Sequence, residues 1–488
     1  MISEILPSWL PIAASILLVL VEVFFLLKDT VNSVKTNQRC ASAILRTLHD
    51  FSNGKYYNPW GAQPIVIEPT AKKMTELSDT PLLSQRAVYA DMFGFKSTLS
   101  NFNHNEINSS RSRLFGLILS VRGAGHLRNL SSLLQRRAQK FLDNELSQPP
   151  VNSSEPIHVG LAETCKLFNS RLMAVIFFGE KLASEPEFAA ALFQHPLQTV
   201  TCMSLFQITP SFLSPLIHGI VTKRGQAMKL IQSRMIPIIQ KGVKDWDEHS
   251  SKQDTILYSM MTETEDKRAY WTPEALCQAI MGLWFAASHQ PWVNLYIFIY
   301  QLCRHPEWQD ILREELRSIG NRMDIDSISS LPLLDSFMRE SARFYCLDKL
   351  AIRRKAMQDY TFAYDNTTAP AGATVCVSNW NVTRDASTYP DPDTFDGARF
   401  ANGKSNDRTK MFADVSEKHL IWGYGSLACP GRLHATYVMK LMIASFITRW
   451  DIRLEREDMR SHWMYESFSM PYQSTAVILQ PRSNPVAV

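Results

Sequence analysis

The chain has 488 residues, of which 45% are apolar, a fraction that can fill a large core and that excludes an intrinsically disordered protein. Its 51 basic and 47 acidic residues leave a net charge of +4, which gives no sign of a nucleic-acid binder. The eight cysteines are scattered without a C-x-x-C pair, which argues against a disulfide framework and against a structural zinc site.

The chain begins with a long apolar segment, Ile5–Leu27, which contains 23 residues. A helix of that length can cross a bilayer core of roughly 30 Å. No basic residue precedes the segment, whereas Lys28 and Lys35 follow it, so the positive-inside rule places the rest of the chain in the cytoplasm. We therefore predict a membrane anchor over residues 1–28 and one catalytic domain over residues 29–488. A buried helix of a soluble protein is the alternative.

Helical patterns dominate beyond the anchor, so the sequence predicts a mainly α domain with small β-sheets. The strand-like segments are short and rich in β-branched or aromatic residues. They are Pro64–Glu68, Tyr360–Tyr364, Thr374–Ser378 and Thr475–Leu479. The second and third segments flank a turn-rich stretch, DNTTAPAGA, and we expect them to pair as a hairpin.

A long helix is predicted to begin after Thr272, an N-cap residue that is followed by Pro273 at the first helical position. The helical pattern continues to about Cys303 and is apolar on nearly every face, which indicates burial. Polar residues within it, including His289 and Gln290, argue against a second membrane span. The sequence therefore predicts a central helix of a large domain.

Pro291 interrupts the hydrogen bonding of this helix. Proline has no N–H group, so the carbonyl of Ala287 loses its usual partner, and we expect a kink at this point. A buried helix that opens beside polar residues is a candidate wall of a functional site.

The segment WGYGSLACPG, Trp422–Gly431, places Cys429 in a glycine-rich loop. Gly423, Gly425 and Gly431 permit backbone turns and a close approach that side chains would block. We infer that the loop presents the cysteine sulfur to a partner that comes close to the backbone.

Three interpretations of this cysteine are open. Pro430 is predicted to begin the following helix, so Cys429 lies near a helix N-terminus, whose partial positive charge favours a thiolate. A nucleophilic thiolate would need a base, and His419 and His434 are the local candidates. Ligation of a haem iron explains the glycines better, because a haem plane tolerates few side chains beside it. An inert, buried cysteine is the third interpretation.

The spacing Trp422-x-x-Gly425-x-x-x-Cys429-x-Gly431 resembles the haem-binding loop of the cytochrome P450 family, with Trp where Phe is commoner. The resemblance implies the cytochrome P450 fold, preceded here by one transmembrane helix. It also implies haem b as the cofactor, with Cys429 as the axial thiolate ligand of the iron and Trp422, Gly423, Gly425 and Gly431 around the haem.

Two further segments agree with this resemblance in order and spacing. Glu340-x-x-Arg343 is similar to the E-x-x-R motif of the family, and Phe395–Phe400 resembles the motif that supplies a second arginine, Arg399. Glu340 and Arg343 share one face of a helix, and with Arg399 they are expected to form a buried, structural ion-pair cluster. A solvated surface pair is the alternative. Gly397 stands where the family has proline, and we expect it only to loosen a turn.

The haem propionates lack one usual partner in this sequence. Family members usually have Arg or His two residues before the cysteine, but this chain has Leu427, and it shows no clear W-x-x-x-R motif in SVRGAGHLRNLSSLLQRR. We expect another cation to take that role, with surface decoration as the alternative for each candidate. The candidates are Arg122, His126, Arg128, Arg353 and Arg354.

The acid–alcohol pair with which the family relays protons aligns with Ala286–Pro291. His289 then takes the position of the acid and Gln290 that of the alcohol, with Ser288 as a substitute if the register slips by one residue. His289 can shuttle protons, or it is a satisfied core histidine. Gln290 can hold a water molecule but cannot donate protons as an alcohol does.

This departure leaves two enzyme classes open. One is monooxygenation, which fungal natural-product members perform with a replaced pair, and the other is a rearrangement or dehydration that needs no dioxygen. A non-catalytic haem-binding protein, such as a sensor, is a third and different class.

The resemblance implies a membrane-anchored monooxygenase that oxidises a lipophilic natural product, such as a terpenoid or meroterpenoid, in one or more steps. It implies electrons from NADPH-cytochrome P450 reductase, contact with membrane lipid and a monomeric protein. The expected location is the endoplasmic reticulum membrane, single-pass, with the catalytic domain facing the cytoplasm. No nucleic-acid partner is expected.

Overall fold

The computed structural model describes residues 55–56, 64–92, 94, 98, 110–146, 155–209, 213–243, 255–401, 411–465 and 467–482. The predicted anchor, Ile5–Leu27, lies outside these described residues. Among the helices within them, none combines the length and the apolar character needed to cross a membrane.

Helices make up most of the described chain, as the sequence predicts. In chain order they are α1 (Ala71–Asp79), α2 (Gln85–Met92), α3 (Ser110–Lys140), α4 (Leu161–Phe178), α5 (Glu180–Ala183), α6 (Pro186–Ile208), α7 (Ser214–Val221), α8 (Gln226–Lys241), α9 (Ile256–Glu263), α10 (Pro273–Arg304), α11 (Glu307–Ser318), α12 (Ile325–Ser329), α13 (Pro332–Tyr345), α14 (Asn379–Thr383) and α15 (Arg432–Arg449).

The central helix α10 begins where the sequence predicts. The hydroxyl of Thr272 accepts a hydrogen bond from the backbone N–H of Ala275 at 3.2 Å, and Pro273 occupies the first turn. The helix continues across Pro291 and ends at Arg304. It packs against α4, α6, α8, α13 and α15, which explains why nearly all of its faces are apolar.

Four small sheets surround the helices. Their strands are β1 (Lys55–Tyr56), β2 (Ile65–Ile67), β3 (Leu83–Ser84), β4 (Ile157–Gly160), β5 (Leu350–Ala356), β6 (Tyr360–Thr361), β7 (Thr368–Ala369), β8 (Thr374–Ser378), β9 (Trp450–Leu454), β10 (His462–Tyr465), β11 (Phe468–Pro471) and β12 (Ala476–Pro481). Within the described residues, the sheets have the strand orders β2-β8-β5-β3, β1-β10-β11, β4-β12-β9 and β6-β7.

The predicted hairpin between the second and third strand-like segments is wrong. Strand β6 pairs with β7, whereas β8 pairs with β5 on one side and with β2 on the other. The chain turns back early, where the N–H of Phe362 donates to the carbonyl of Thr367 at 2.9 Å. Strand β8 has three consecutive buried residues, so it needs neighbours on both sides, and the distant strands β5 and β2 provide them.

Candidate functional site

The cysteine loop is held by hydrogen bonds to its own backbone and to α1. The N–H of Cys429 donates to the carbonyl of Trp422 at 2.6 Å, and the hydroxyl of Ser426 donates to a carboxylate oxygen of Asp79 at 2.7 Å. Gly425 has a φ of +65°, and a Cβ atom there would lie 3.1 Å from Cβ of Ser78. This glycine therefore allows both the turn and the close approach of α1.

Helix α15 begins at Arg432 with Gly431 as its N-cap, so Pro430 precedes the helix and does not begin it. Cys429 remains partly exposed. Burial raises the pKa of its thiol, although the N–H of Gly431 and the charge of Arg432 lower it. Desolvation therefore outweighs the helix-dipole effect that the sequence suggests.

Glu340, Arg343 and Arg399 form one buried cluster, in which each carboxylate and guanidinium atom that can bond has a partner. Arg343 binds Glu340 through two parallel hydrogen bonds of 2.7 and 2.8 Å, and Nε of Arg399 binds the same carboxylate at 3.0 Å. The remaining N–H groups of the two guanidinium groups donate to backbone carbonyls, including those of Thr383 and Pro390. The cluster ties α13 to the segment that precedes the cysteine loop, which is a structural role.

Gly397 has a different role from the one expected. A Cβ atom at this position would lie 2.4 Å from two ring atoms of Trp308, so the backbone and the indole pack in direct contact. The glycine is required for this close packing, and it does more than loosen a turn.

The two candidate cations on β5 have different surroundings. Arg353 is buried and binds Asp348 and Ser467, so its charge is compensated within the protein. Arg354 is 1% exposed, and the one described hydrogen bond of its side chain goes from Nη1 to the carbonyl of Arg353 at 2.9 Å. Its Nε atom has no partner among the described residues, and burial lowers the pKa of Arg354 to about 10.

A buried guanidinium without a carboxylate partner fits a ligand that brings its own negative charge. The haem implied by the cysteine loop carries two propionates. Among the cations considered from the sequence, Arg354 therefore fits a propionate best, and the thiol donor of Cys429 fits the iron.

The two candidates on α3 whose side chains are described, Arg128 and His126, have different surroundings. Arg128 is exposed and makes a two-pronged ion pair with Asp326 on the surface, and the side chain of Arg122 lies outside the described part of the helix. His126 is buried, and its Nδ1 lies 2.9 Å from Nε2 of His434 in the first turn of α15. From the sequence, His126 and His434 are separate candidates, and this pair is not predicted.

The middle of α10 has one accessible face. Ala286 and Gln290 are exposed, and Leu283 and Ala287 are half-buried, at the spacing of one helical stripe. Of the three residues aligned with the acid–alcohol pair, Gln290 is therefore the one on the accessible face.

Ser288 and His289 are buried on other faces of the helix. The hydroxyl of Ser288 donates to the carbonyl of Phe285 at 3.3 Å. The indole N–H of Trp292 donates to Nδ1 of His289 at 3.4 Å, and the imidazole stacks on Phe285. Burial, and then the charge of Lys166, lower the pKa of His289 to about 4, so it is neutral near pH 7.

An apolar cluster begins at Phe285, next to the accessible face, and we call it the Phe285 cluster. It joins side chains from α2, α6, α10, β10 and β11, with aromatic rings and flexible thioethers predominating. Its members are Tyr89, Met92, Val200, Met203, Phe285, Trp463, Tyr465 and Met470. These elements are far apart in sequence, so no local pattern could have identified the cluster.

A family model described as Cytochrome P450 matches residues 84–479. Cytochrome P450 monooxygenase penP of Penicillium crustosum is 25% identical over 474 residues, which cover 93% of this chain and 88% of the relative. Cytochrome P450 monooxygenase paxP of Penicillium paxilli is 25% identical over 416 residues, which cover 83% of this chain and 77% of the relative.

A solved structure with the same fold is that of retinoic acid-bound cyanobacterial CYP120A1, at a TM-score of 0.64 and 19% identity over 83% of this chain and 86% of that chain. The family match spans most of the chain and includes the cysteine loop, the buried ion-pair cluster and α10. The chain therefore belongs to the cytochrome P450 family, and it is a haem-thiolate monooxygenase.

Proposed function

We propose that this monooxygenase is anchored in the endoplasmic reticulum membrane by residues 1–28 and oxidises a lipophilic natural product, such as a terpenoid or meroterpenoid. The Phe285 cluster is the observation that carries the proposal. Its rings and thioethers form an apolar cluster that reaches α10 at Phe285, the residue before the exposed Ala286. A hydrophobic substrate binds such a cluster through burial of apolar area, and methionine side chains adapt to its shape.

Cys429 binds the iron, and Arg354 compensates one haem propionate. When bound, haem supplies the activation of dioxygen and the oxidising chemistry. The protein contributes the orientation of the substrate and the control of water above the cofactor.

Gln290 is the polar residue that we place at the accessible face of α10. Its amide can donate and accept hydrogen bonds, so it can order a water molecule, but it does not exchange protons as a carboxylic acid or an alcohol does. His289 is neutral near pH 7, and its Nδ1 accepts from Trp292, so its role here is to pack and orient this turn of the helix.

Electrons arrive from NADPH-cytochrome P450 reductase in the same membrane, and the protein acts as a monomer with the catalytic domain in the cytoplasm. The fungal monooxygenases that resemble the chain over most of its length support this assignment over a rearrangement that needs no dioxygen. Oxidation in one step or in several successive steps fits the same site.

The proposal is tested by spectroscopy and by turnover. Reduced protein treated with carbon monoxide should show the red-shifted Soret band of thiolate ligation. Cys429→Ser should abolish that band, whereas the matched control Cys303→Ser should retain it. Candidate terpenoids incubated with the membrane-bound protein should be oxidised only with reductase, NADPH and dioxygen. Product formed without these three components would contradict monooxygenation and favour rearrangement.

A further inference from the structure

Helix α10 has a gap in its backbone hydrogen bonding at Pro291. In a regular helix the carbonyl of Ala287 would accept from the N–H of residue 291, but proline has no such group. Ala287 is half-buried, so an unmatched carbonyl here costs part of its desolvation free energy unless another donor reaches it. The helix nevertheless continues past this position and ends at Arg304.

Asn169 on α4 supplies the missing donor. Its Nδ2 atom lies 3.1 Å from the carbonyl oxygen of Ala287 and 3.0 Å from that of Ser288. The side-chain amide has two N–H groups, one for each carbonyl. Asn169 is 0% exposed, and its Oδ1 atom has no partner within the described residues. The side chain is therefore positioned by its donors alone.

The residues beside Asn169 on α4 also reach this turn of α10. The ammonium group of Lys166 lies 4.8 Å from the ring centroid of Trp292, one residue after the proline. Lys166 and Ser170 line a small cavity together with Ser288 and His289. Asn169 and Lys166 thus contact α10 close to Pro291, whereas Phe168 and Leu172 belong to the apolar core.

The turn that Asn169 braces is the one that presents Gln290. On its other side, Nδ2 of Asn294 lies 3.4 Å from the carbonyl oxygen of Gln290. The backbone from Ala287 to Gln290 is therefore held by side-chain amides from both directions. A shift of this turn would move Gln290 relative to the accessible face of α10.

We propose that Asn169 is a positioning residue for the oxidation reaction: its side-chain amide replaces the backbone N–H that Pro291 lacks and fixes the turn that carries Gln290. This inference deepens the proposed function, and it rests on that function for the role of Gln290 and for the release of peroxide. Without the brace, the turn opens and water enters. Dioxygen is then reduced by two electrons from NADPH and two protons to hydrogen peroxide, and the substrate is not oxidised.

The test is a double-mutant cycle of Asn169→Leu and Pro291→Ala in the full-length, haem-loaded protein. Leucine is close to asparagine in shape and removes the two donors together with Oδ1, which has no partner among the described residues. Alanine at position 291 restores the backbone N–H for Ala287. Asn169→Leu alone should accelerate hydrogen exchange of the backbone amides in residues 284–295 roughly tenfold. In the Pro291→Ala background the same change should accelerate it less than about twofold.

Peroxide released per NADPH consumed in the presence of reductase should follow the same pattern. It should rise roughly tenfold in Asn169→Leu and return towards the Pro291→Ala value in the double variant. If Asn169→Leu does not load haem, the double variant should load it, because its Ala287 carbonyl has a partner.

Equal acceleration of exchange in both backgrounds would show that Asn169 only packs against α10 and would overturn the proposal. So would an unchanged peroxide yield when exchange is accelerated, or a double variant that also fails to load haem. Hydrogen exchange needs neither substrate nor reductase. A failure to find a natural-product substrate would therefore count against the proposed function alone.

Discussion

Two regions of the molecule bury polar groups: the ion-pair cluster of Glu340, Arg343 and Arg399, and the centre of α10. They satisfy the hydrogen bonds of these groups in different ways. In the cluster, the bonds of Glu340 to Arg343 join positions three residues apart on one helix, and the guanidinium groups are saturated. At the centre of α10, the donor for Ala287 comes from Asn169, 118 positions earlier, and one amide oxygen is left without a partner in the described structure. The first arrangement is encoded by a short motif, and we expect the loss of any of its charged groups to be destabilising. In the second, a residue distant in sequence donates the hydrogen bond that Pro291 cannot.

The largest effect is expected at Glu340. Replacing it by glutamine leaves two guanidinium groups buried without a carboxylate, which costs about 3–5 kcal/mol of folding free energy. Glu340→Gln should therefore abolish the accumulation of haem-loaded protein, measured by the carbon monoxide difference spectrum. Glu314→Gln, which breaks an exposed pair with Arg317, is the control and should leave the yield unchanged. Normal haem loading of Glu340→Gln would show that the cluster tolerates loss after all.

Gly397 tests whether the region around the cluster is as rigid as its contacts indicate. Gly397→Ala places a Cβ atom 2.4 Å from the ring of Trp308 and should lower the free energy of unfolding by about 2 kcal/mol. Denaturant titration measures this loss. Gly160→Ala, where the added Cβ meets no atom within 4 Å, is the matched control and should change stability by less than about 0.5 kcal/mol. Equal effects of the two changes would mean that the indole moves aside.

The pH dependence of stability probes the centre of α10. His289 has a pKa near 6.5 when unfolded and of about 4 when folded, so the unfolded chain binds more protons between these values. Stability is therefore lost as the pH falls from 6.5 towards 4. His289→Gln keeps an acceptor for Trp292 and removes the titrating group. The free energy of unfolding should then decrease between pH 7 and pH 5 by about 2 kcal/mol less than in the unmodified protein. Denaturant titrations at the two pH values measure it.

Ser288→Ala, which changes the neighbouring buried residue and removes no titratable group, provides the control for that experiment. Ser288→Ala should leave the acid dependence of stability as it is in the unmodified protein. An unchanged acid dependence in His289→Gln would show that folding does not lower the pKa of His289. The turn would then be more accessible to water than its burial indicates.

The smallest effect is expected at Arg354, where removal of one buried charge acts in opposite directions on two measurements. Arg354→Leu should weaken haem binding roughly tenfold, because one propionate loses its cation. The same change should stabilise the haem-free protein, because a buried charge without a direct carboxylate partner is gone and the distant charge of Asp79 offsets only part of its desolvation. Haem titration and denaturant titration measure the two effects.

Arg128→Leu, at an exposed ion pair, should change neither quantity. If Arg354→Leu destabilises the haem-free protein as well, the guanidinium of Arg354 is stabilised by a partner within the protein, and its assignment to a propionate is wrong.

The parts of the fold that sequence could predict are those set by neighbouring residues. The N-cap at Thr272, the shared helix face of Glu340 and Arg343 and the turns at Gly423 and Gly425 all depend on local geometry, and the structure has them in place. The resemblance of the motifs to those of the family then predicted haem as the cofactor and Cys429 as its ligand.

The parts that sequence could not predict depend on which distant segments meet. The partners of β8, the contact of Gly397 with Trp308 and the pair of His126 with His434 join positions that only the complete fold brings together. Asn169 lies among other polar residues of its helix, and nothing local indicated that its target was the carbonyl left by Pro291.

The bonds of Glu340 also constrain when the haem pocket can assemble. Its carboxylate binds the N–H of Asp396 and the guanidinium of Arg399, which lie 56 and 59 positions further along the chain. Closing loops of that length costs entropy before the bonds are gained, so the network forms only once much of the surrounding structure exists. Defects in it should therefore reduce how many molecules mature, while each molecule that does mature turns over at the normal rate.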